Sequence, residues 1–265
     1  MNRTMMLVTA FALTLGGSMP QARSEAIAKE SPTPHTSIAA AIADPGRPAT
    51  DREQDATRKP AEILGFLGVV PGMRVLDAFS AGGYYTELLA RIVGSEGEVI
   101  AYNNPPYAKF AEKGIAARYA GNRLPNARQV TSTLEQLELE PASLDAAIFV
   151  MSYHDLYWSP ADGSWPPTDP SLLLAKLYAA LKPGGVILVQ DHVAAPGGEV
   201  SEVVDRLHRI DPTVVKRDFE RAGFEFESAS DALTHPADDH TINVFNPAIR
   251  GKTDQFVFRF RKPSK

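Results

Sequence analysis

Apolar runs and amphipathic stretches alternate along most of this chain. Ala61–Gly68 reads as the end of a helix and Pro71-Gly72 as the turn after it. Arg74–Phe79 is a buried strand, followed at once by a stretch of helical spacing at Tyr84–Val93. Glu98–Tyr102 is a second strand, with helical sequence around Tyr107–Tyr119. A third strand sits at Arg128–Thr131 and a fourth at Leu144–Ser152, whose core AAIFVM is apolar throughout. Ser171–Leu181 is a helix stopped by Pro183-Gly184-Gly185, and Val186–Gln190 is the fifth strand. Pro212–Ala222 is a helix ended at Gly223, and Phe224–Ser228 is the sixth strand. In Gln255–Arg261, Phe256, Phe258 and Phe260 share one face while Val257, Arg259 and Arg261 take the other, which predicts an antiparallel edge strand.

Continuous apolar strands separated by helices predict an α/β fold: a doubly wound, Rossmann-like, mainly parallel seven-stranded sheet with an antiparallel last strand. Right-handed crossovers in such a sheet put the ligand crevice beyond the carboxyl ends of the strands.

Before Asp51 the pattern differs. Residues 1–24 run from Arg3 through the apolar Met5–Leu15 to Gly16, Gly17, Ser18 and Pro20, the order of a secretory signal peptide. The apolar run is too short for a stable membrane anchor. A periplasmic or secreted location is therefore expected. Residues 25–50 mix Ala, Ser, Pro and Thr and read as a flexible linker, with room for one short helix at Ser37–Ala43. The domain is expected over residues 51–265.

Composition narrows the chemistry. The chain has no cysteine, which removes disulfides, thiolate metal sites and cysteine nucleophiles. Its net charge is -5, and residues 1–24 hold two arginines and no acid, so the remainder is more acidic still. With no basic cluster, nucleic acid is not an expected partner, and a small molecule is. The sequence carries no signal for oligomeric state.

The segment VLDAFSAGGYYTELLA is strand, turn and helix in succession. Asp77 ends the strand, and Gly82 and Gly83 let the chain approach a ligand at the amide end of the following helix. With SLDAAIFVMSYHDLYW, LKPGGVILVQDH, LHRID and RGKTDQFVFRFRKP, it makes residues 60–263 resemble the class I S-adenosylmethionine-dependent methyltransferases, in particular an exported bacterial group of them. The resemblance implies S-adenosylmethionine as cofactor, methyl transfer as activity, and binding by Asp77, Ala81, Gly82, Gly83, Tyr84, Asn103, Thr133 and Ser152. The chain departs from the family pattern in two places. Phe79 and Ala81 stand where the loop usually has glycine, and Asn103 stands where the second strand usually ends in an acid.

Five of the six histidines follow residue 150. His154 with Asp155, Asp191 with His192, and His208 with Asp211 all fall at or beyond strand ends. His235, Asp238, Asp239 and His240 lie in the long connection before the last strand. His154, Asp155, Asp191, His192 and His208 are the expected catalytic set, with His154 or His192 as a general base tuned by an aspartate. A divalent metal held by some of them is the other reading, without a recognised ligand spacing. Trp158, Trp165, Tyr153 and Tyr157 suggest an aromatic lid over this polar floor. Because S-adenosylmethionine is made in the cytoplasm, export brings an alternative: a fold turned to metal-assisted catalysis or small-ligand binding without methyl transfer.

Overall fold

The computed structural model describes Met1 and residues 34–264; the rest of the expected signal segment lies outside the described residues. Four helices come first: α1 (Pro34–Ala43), α2 (Ala49–Arg52), α3 (Asp55–Arg58) and α4 (Pro60–Leu67). Then follow β1 (Arg74–Ala78), α5 (Tyr84–Val93), β2 (Glu98–Asn103), α6 (Pro105–Phe110), α7 (Glu112–Tyr119), β3 (Ala127–Thr131) and β4 (Leu144–Val150). The last part holds α8 (Pro170–Ala180), β5 (Leu181–His192), α9 (Val200–Leu207), α10 (Pro212–Arg221), β6 (Glu225–Ser230) and β7 (Gln255–Arg261). Three helices begin on an Asn-Pro or Asp-Pro pair whose polar side chain caps a backbone N–H. Asn104 accepts from Tyr107, Asp169 from Ser171 and Asp211 from Thr213, and proline holds the first helical position.

The seven strands are ordered β3-β2-β1-β4-β5-β7-β6. β1 to β5 are parallel, and β7 runs antiparallel to both β5 and β6. This is the expected doubly wound sheet, with one correction: β7 is an interior strand, and β6 forms the edge. The alternation in β7 is real, but both of its faces are covered. Phe256, Phe258 and Phe260 pack with α8 and α10 residues such as Leu177 and Phe219, and Val257 packs on the opposite face with Leu64 of α4. The LKPGG turn is also drawn into the sheet, since β5 starts at Leu181 and shifts register before Val186.

Helices cover both faces. One core gathers Leu76, Phe149, Ile187 and Phe260 against α8 and α10; the other gathers Val75, Ile148 and Leu188 against α1, α4 and α5. Residues 34–50, expected as linker, thus belong to the fold. Ile38 and Ala41 of α1 are buried in the second core. The helix is short, with its polar residues His35, Thr36 and Ser37 together near its start and only Ala and Ile after them, so it lacks the two-sided pattern that marks an amphipathic helix in sequence. Among the described residues no helix is long and apolar enough to cross a membrane.

Packing of α1 sets an expectation. Ile38→Ala should destabilise the domain by about 2–4 kcal/mol, the usual effect of emptying a filled core position. A urea midpoint equal to wild type would return residues 34–43 to the status of a tether.

Candidate active site

The chain order reverses between β1 and β4, and the carboxyl ends of β1, β4 and β5 frame a cavity of about 910 Å³ there. Residues 48–58 form one wall of it and the segment 244–255 another. The first wall is fastened firmly. Arg118 of α7 pairs with Asp51 at 2.6 Å and with Glu87 at 2.5 Å, and donates to the carbonyl of Gly82 at 2.9 Å. Arg47 pairs with Asp55 at 2.7 Å, and the same carboxylate accepts from the Tyr84 hydroxyl at 2.6 Å.

At one end of the cavity lies the loop between β1 and α5. Its backbone is left-handed at alternate positions: φ is 54° at Phe79, 46° at Ala81 and 80° at Gly83. The loop therefore keeps a glycine-type path although two of the three residues carry a Cβ, at roughly 1–2 kcal/mol each. Asn103 braces it. Its amide oxygen accepts from Ala81 N at 2.9 Å, and its amide nitrogen donates to Ser80 Oγ at 3.0 Å. The asparagine amide serves both contacts without placing a charge in this buried position. Asp77 lines the cavity behind the loop and accepts from the Thr86 hydroxyl at 2.6 Å. Burial pushes its carboxyl up to about 7, against the opposing pull of Thr86 and Arg118.

At the other end stand the histidines. Asp191 has no solvent exposure and accepts from His154 N at 2.9 Å, His154 Nδ1 at 2.7 Å and His192 N at 2.8 Å. The other ring nitrogen of His154 is 3.3 Å from Asp155, which also accepts from the Tyr107 hydroxyl. Burial disfavours a charged His154, but Asp155 and Asp191 outweigh it and hold the imidazole up at about 9. His192 behaves oppositely. Burial lowers it to about 4, helped by the charges of His154 and Arg209 and opposed by Asp191. Two histidines 6.2 Å apart are thus held in different states, one charged and one neutral. His208 packs between Trp158 and Phe245 with centroids 5.0 and 4.9 Å away. Burial and the His154 charge lower it.

Comparison with known proteins agrees with this geometry. No protein-family model matches the chain. Over 84 residues it is 39% identical to the tRNA (adenine(58)-N(1))-methyltransferase TrmI of Thermus thermophilus, covering 31% of this chain and 32% of the relative. Over 142 residues it is 28% identical to the carboxy-S-adenosyl-L-methionine synthase of Shewanella amazonensis, covering 53% of each. It thus spans about a third to a half of these relatives' length. Among solved structures, a SAM-dependent methyltransferase from Aquifex aeolicus matches with a TM-score of 0.56 and 18% identity, over 82% of this chain and 98% of that one. The fold is that of the class I methyltransferases.

Within this methyltransferase fold, the structure gathers Asp77, Ala81, Gly82, Gly83 and Tyr84 around the cavity, together with His154, Asp155, His192 and His208. Asp191 stands directly behind them. Three expected cofactor residues lie off the cavity wall. Asn103 is buried as the loop brace, Ser152 is buried 3.4 Å from the Ala78 carbonyl, and Thr133 is exposed, its hydroxyl 3.4 Å from Gln136 N. Asp211 caps α10, Asp238 pairs with Arg209 at 2.8 Å and His240 with Asp254 at 3.0 Å, all structural roles. The aromatic lid is narrower than expected, because Tyr153 packs in the core against Phe149 and Phe219 while Trp158 and Trp165 face the cavity. Among the described residues no group of His, Asp or Glu is arranged to hold a metal ion. As for a general base, His154 is already protonated and has a carboxylate at each ring nitrogen. Sequence reasoning missed Tyr107, Gln190, Thr253 and Gln255; of these only Gln190, a lone polar residue in the run VILVQ, gave any signal.

The raised His154 makes stability depend on pH. Its usual value is 6.5 and its folded value about 9, so its contribution is complete below 6.5 and is lost as pH rises through 9. His154→Gln should abolish that alkaline loss, on the order of a few kcal/mol. Parallel wild-type and variant melting curves between pH 6 and 10 would refute the ion triad.

Proposed function

We propose that this chain is an S-adenosylmethionine-dependent methyltransferase acting on a small molecule, with proton handling by the Asp155–His154–Asp191 group. One observation carries the reading: the left-handed loop opens into the same cavity whose far wall is that group. The loop end fits the cofactor. Burial holds the Asp77 carboxyl at about 7 despite Thr86 and Arg118, so it is partly protonated at neutral pH, and a ligand ammonium beside it would favour the carboxylate. When bound, S-adenosylmethionine supplies an electrophilic methyl group on a sulfonium. Asp77 and the backbone of residues 81–84 would hold its amino-acid end.

The triad does the work of base without either histidine acting as one. Two carboxylates and one imidazolium carry a net charge of -1, so the group has room for one proton. Asp155 faces the cavity and receives it from the acceptor, while His154 and Tyr107 hold the carboxylate in place. The acidic body without a basic cluster and the Trp158, Trp165 and Phe245 side chains around the cavity favour a small acceptor over nucleic acid. The signal-like order of residues 1–24 supports an exported protein, in keeping with the exported group that the sequence resembles.

Calorimetric titration with S-adenosylhomocysteine is the decisive test. Binding at pH 7 should release part of a proton from Asp77, visible as a dependence of the heat on buffer ionisation. Asp77→Asn should remove that release and weaken binding by about tenfold or more. Absence of binding to wild type would end the methyltransferase reading. Once an acceptor is found, Asp155→Asn should lower kcat by about 10²-fold or more with little change in S-adenosylhomocysteine affinity.

A further inference from the structure

A second polar group lies beside the triad and takes no part in it. Gln190 and His192 are two residues apart on β5 and so share one face of the sheet. Gln255 stands opposite His192 in the antiparallel register with β7, and Thr253 precedes it. All four line the cavity. Gln190 and Thr253 are each 1% exposed, and the side chains form a chain of hydrogen bonds. Gln190 Nε2 donates to Gln255 Oε1 at 2.7 Å, Gln255 Nε2 reaches Thr253 Oγ1 at 3.5 Å, and Thr253 Oγ1 lies 2.9 Å from His192 Nδ1.

The chain has a direction. A hydroxyl that accepts from an amide N–H keeps its own hydrogen free to donate to the next acceptor. With that polarity Thr253 donates to His192 Nδ1, which puts the single ring proton of the neutral imidazole on Nε2. At the opposite end, Gln190 Oε1 is buried and has no hydrogen-bond partner among the described residues. A buried amide oxygen beside a cavity is left short of a donor, and a ligand seated in the cavity can bring one.

We propose that Gln190 Oε1 and His192 Nε2–H form a recognition pair for the methyl acceptor, with Thr253 and Gln255 as positioning residues that fix its polarity. The pair offers one acceptor and one donor. It therefore selects a neutral group that can give and take a hydrogen, a hydroxyl or a carboxamide. A carboxylate has no hydrogen to give Gln190, and a carboxylate or phosphate would lie close to the net negative triad. This identification of the substrate class rests on the methyltransferase reading; the polarity of the chain does not.

The test begins with the tautomer. In wild-type protein labelled with ¹⁵N at histidine, His192 should show a proton on Nε2 and an acceptor nitrogen at Nδ1. Thr253→Val should abolish the Nδ1 hydrogen-bond signature while the His154 signals persist. A ring proton on Nδ1 of wild-type His192 would overturn the proposal. The second arm uses benzamide and benzoate as probes, chosen because aromatic side chains surround the cavity. Benzamide should shift the His192 resonances saturably, with benzoate at least about tenfold weaker, and Gln190→Met should erase the preference. Equal affinities, or no benzamide binding at millimolar concentration, would remove the recognition role. Titration of wild type with S-adenosylhomocysteine separates the two readings, since it depends on the cofactor end alone.

Discussion

A carboxylate denied all water has to be surrounded by donors, and Asp191 imposes that demand on everything near it. It sits near the end of β5 and takes the backbone N–H and ring N–H of His154, from beyond the end of β4, and the N–H of its own neighbour His192. Those bonds fix where the chain turns after β4, which imidazole is charged and how Asp155 meets the cavity. The protonation of His154 in turn helps keep His192 neutral. One buried charge therefore assigns opposite characters to two histidines on the same crevice.

Much of this was legible before any coordinates. Apolar runs such as AAIFVM and VILV marked strands covered on both sides, and the order of strand ends pointed to the crevice that holds His154, Asp155, His192 and His208. What escaped had physical causes. Interior and edge positions of an antiparallel strand both alternate with period two, so β7 was assigned to the edge until α4 was seen covering Val257. Helix α1 lacked a polar face. Asn103 stood out only as a departure from the usual acid, because its contacts with Ser80 and Ala81 form only when the loop folds back onto the second strand. Thr253 and Gln255 come from a part of the chain some sixty residues distant from His192, and no local pattern announces such a meeting.

The glycine-type loop shows how a fold and its sequence signature can part company. The conformation survives at Phe79 and Ala81 without the residues that normally permit it, because Asn103 holds the backbone amide and the Phe79 ring is packed against Tyr102 and Tyr107, each 5.3 Å away. Rigid support replaces intrinsic freedom. The same loop in glycine form could relax; here its shape is imposed by the second strand and the aromatic core beneath it.

The position of β7 has a consequence for how the molecule comes into being. Among the described strands β6 pairs with β7 alone, yet β7 is the later of the two in the chain and joins β6 to β5. Until it does, β5 presents an open backbone edge and β6 has nothing to pair with. Thr253 and Gln255 arrive with the same insertion, so the cavity wall and the last sheet contact are completed in one step. A chain being synthesised from its amino end therefore lacks this wall until nearly all of it has been made.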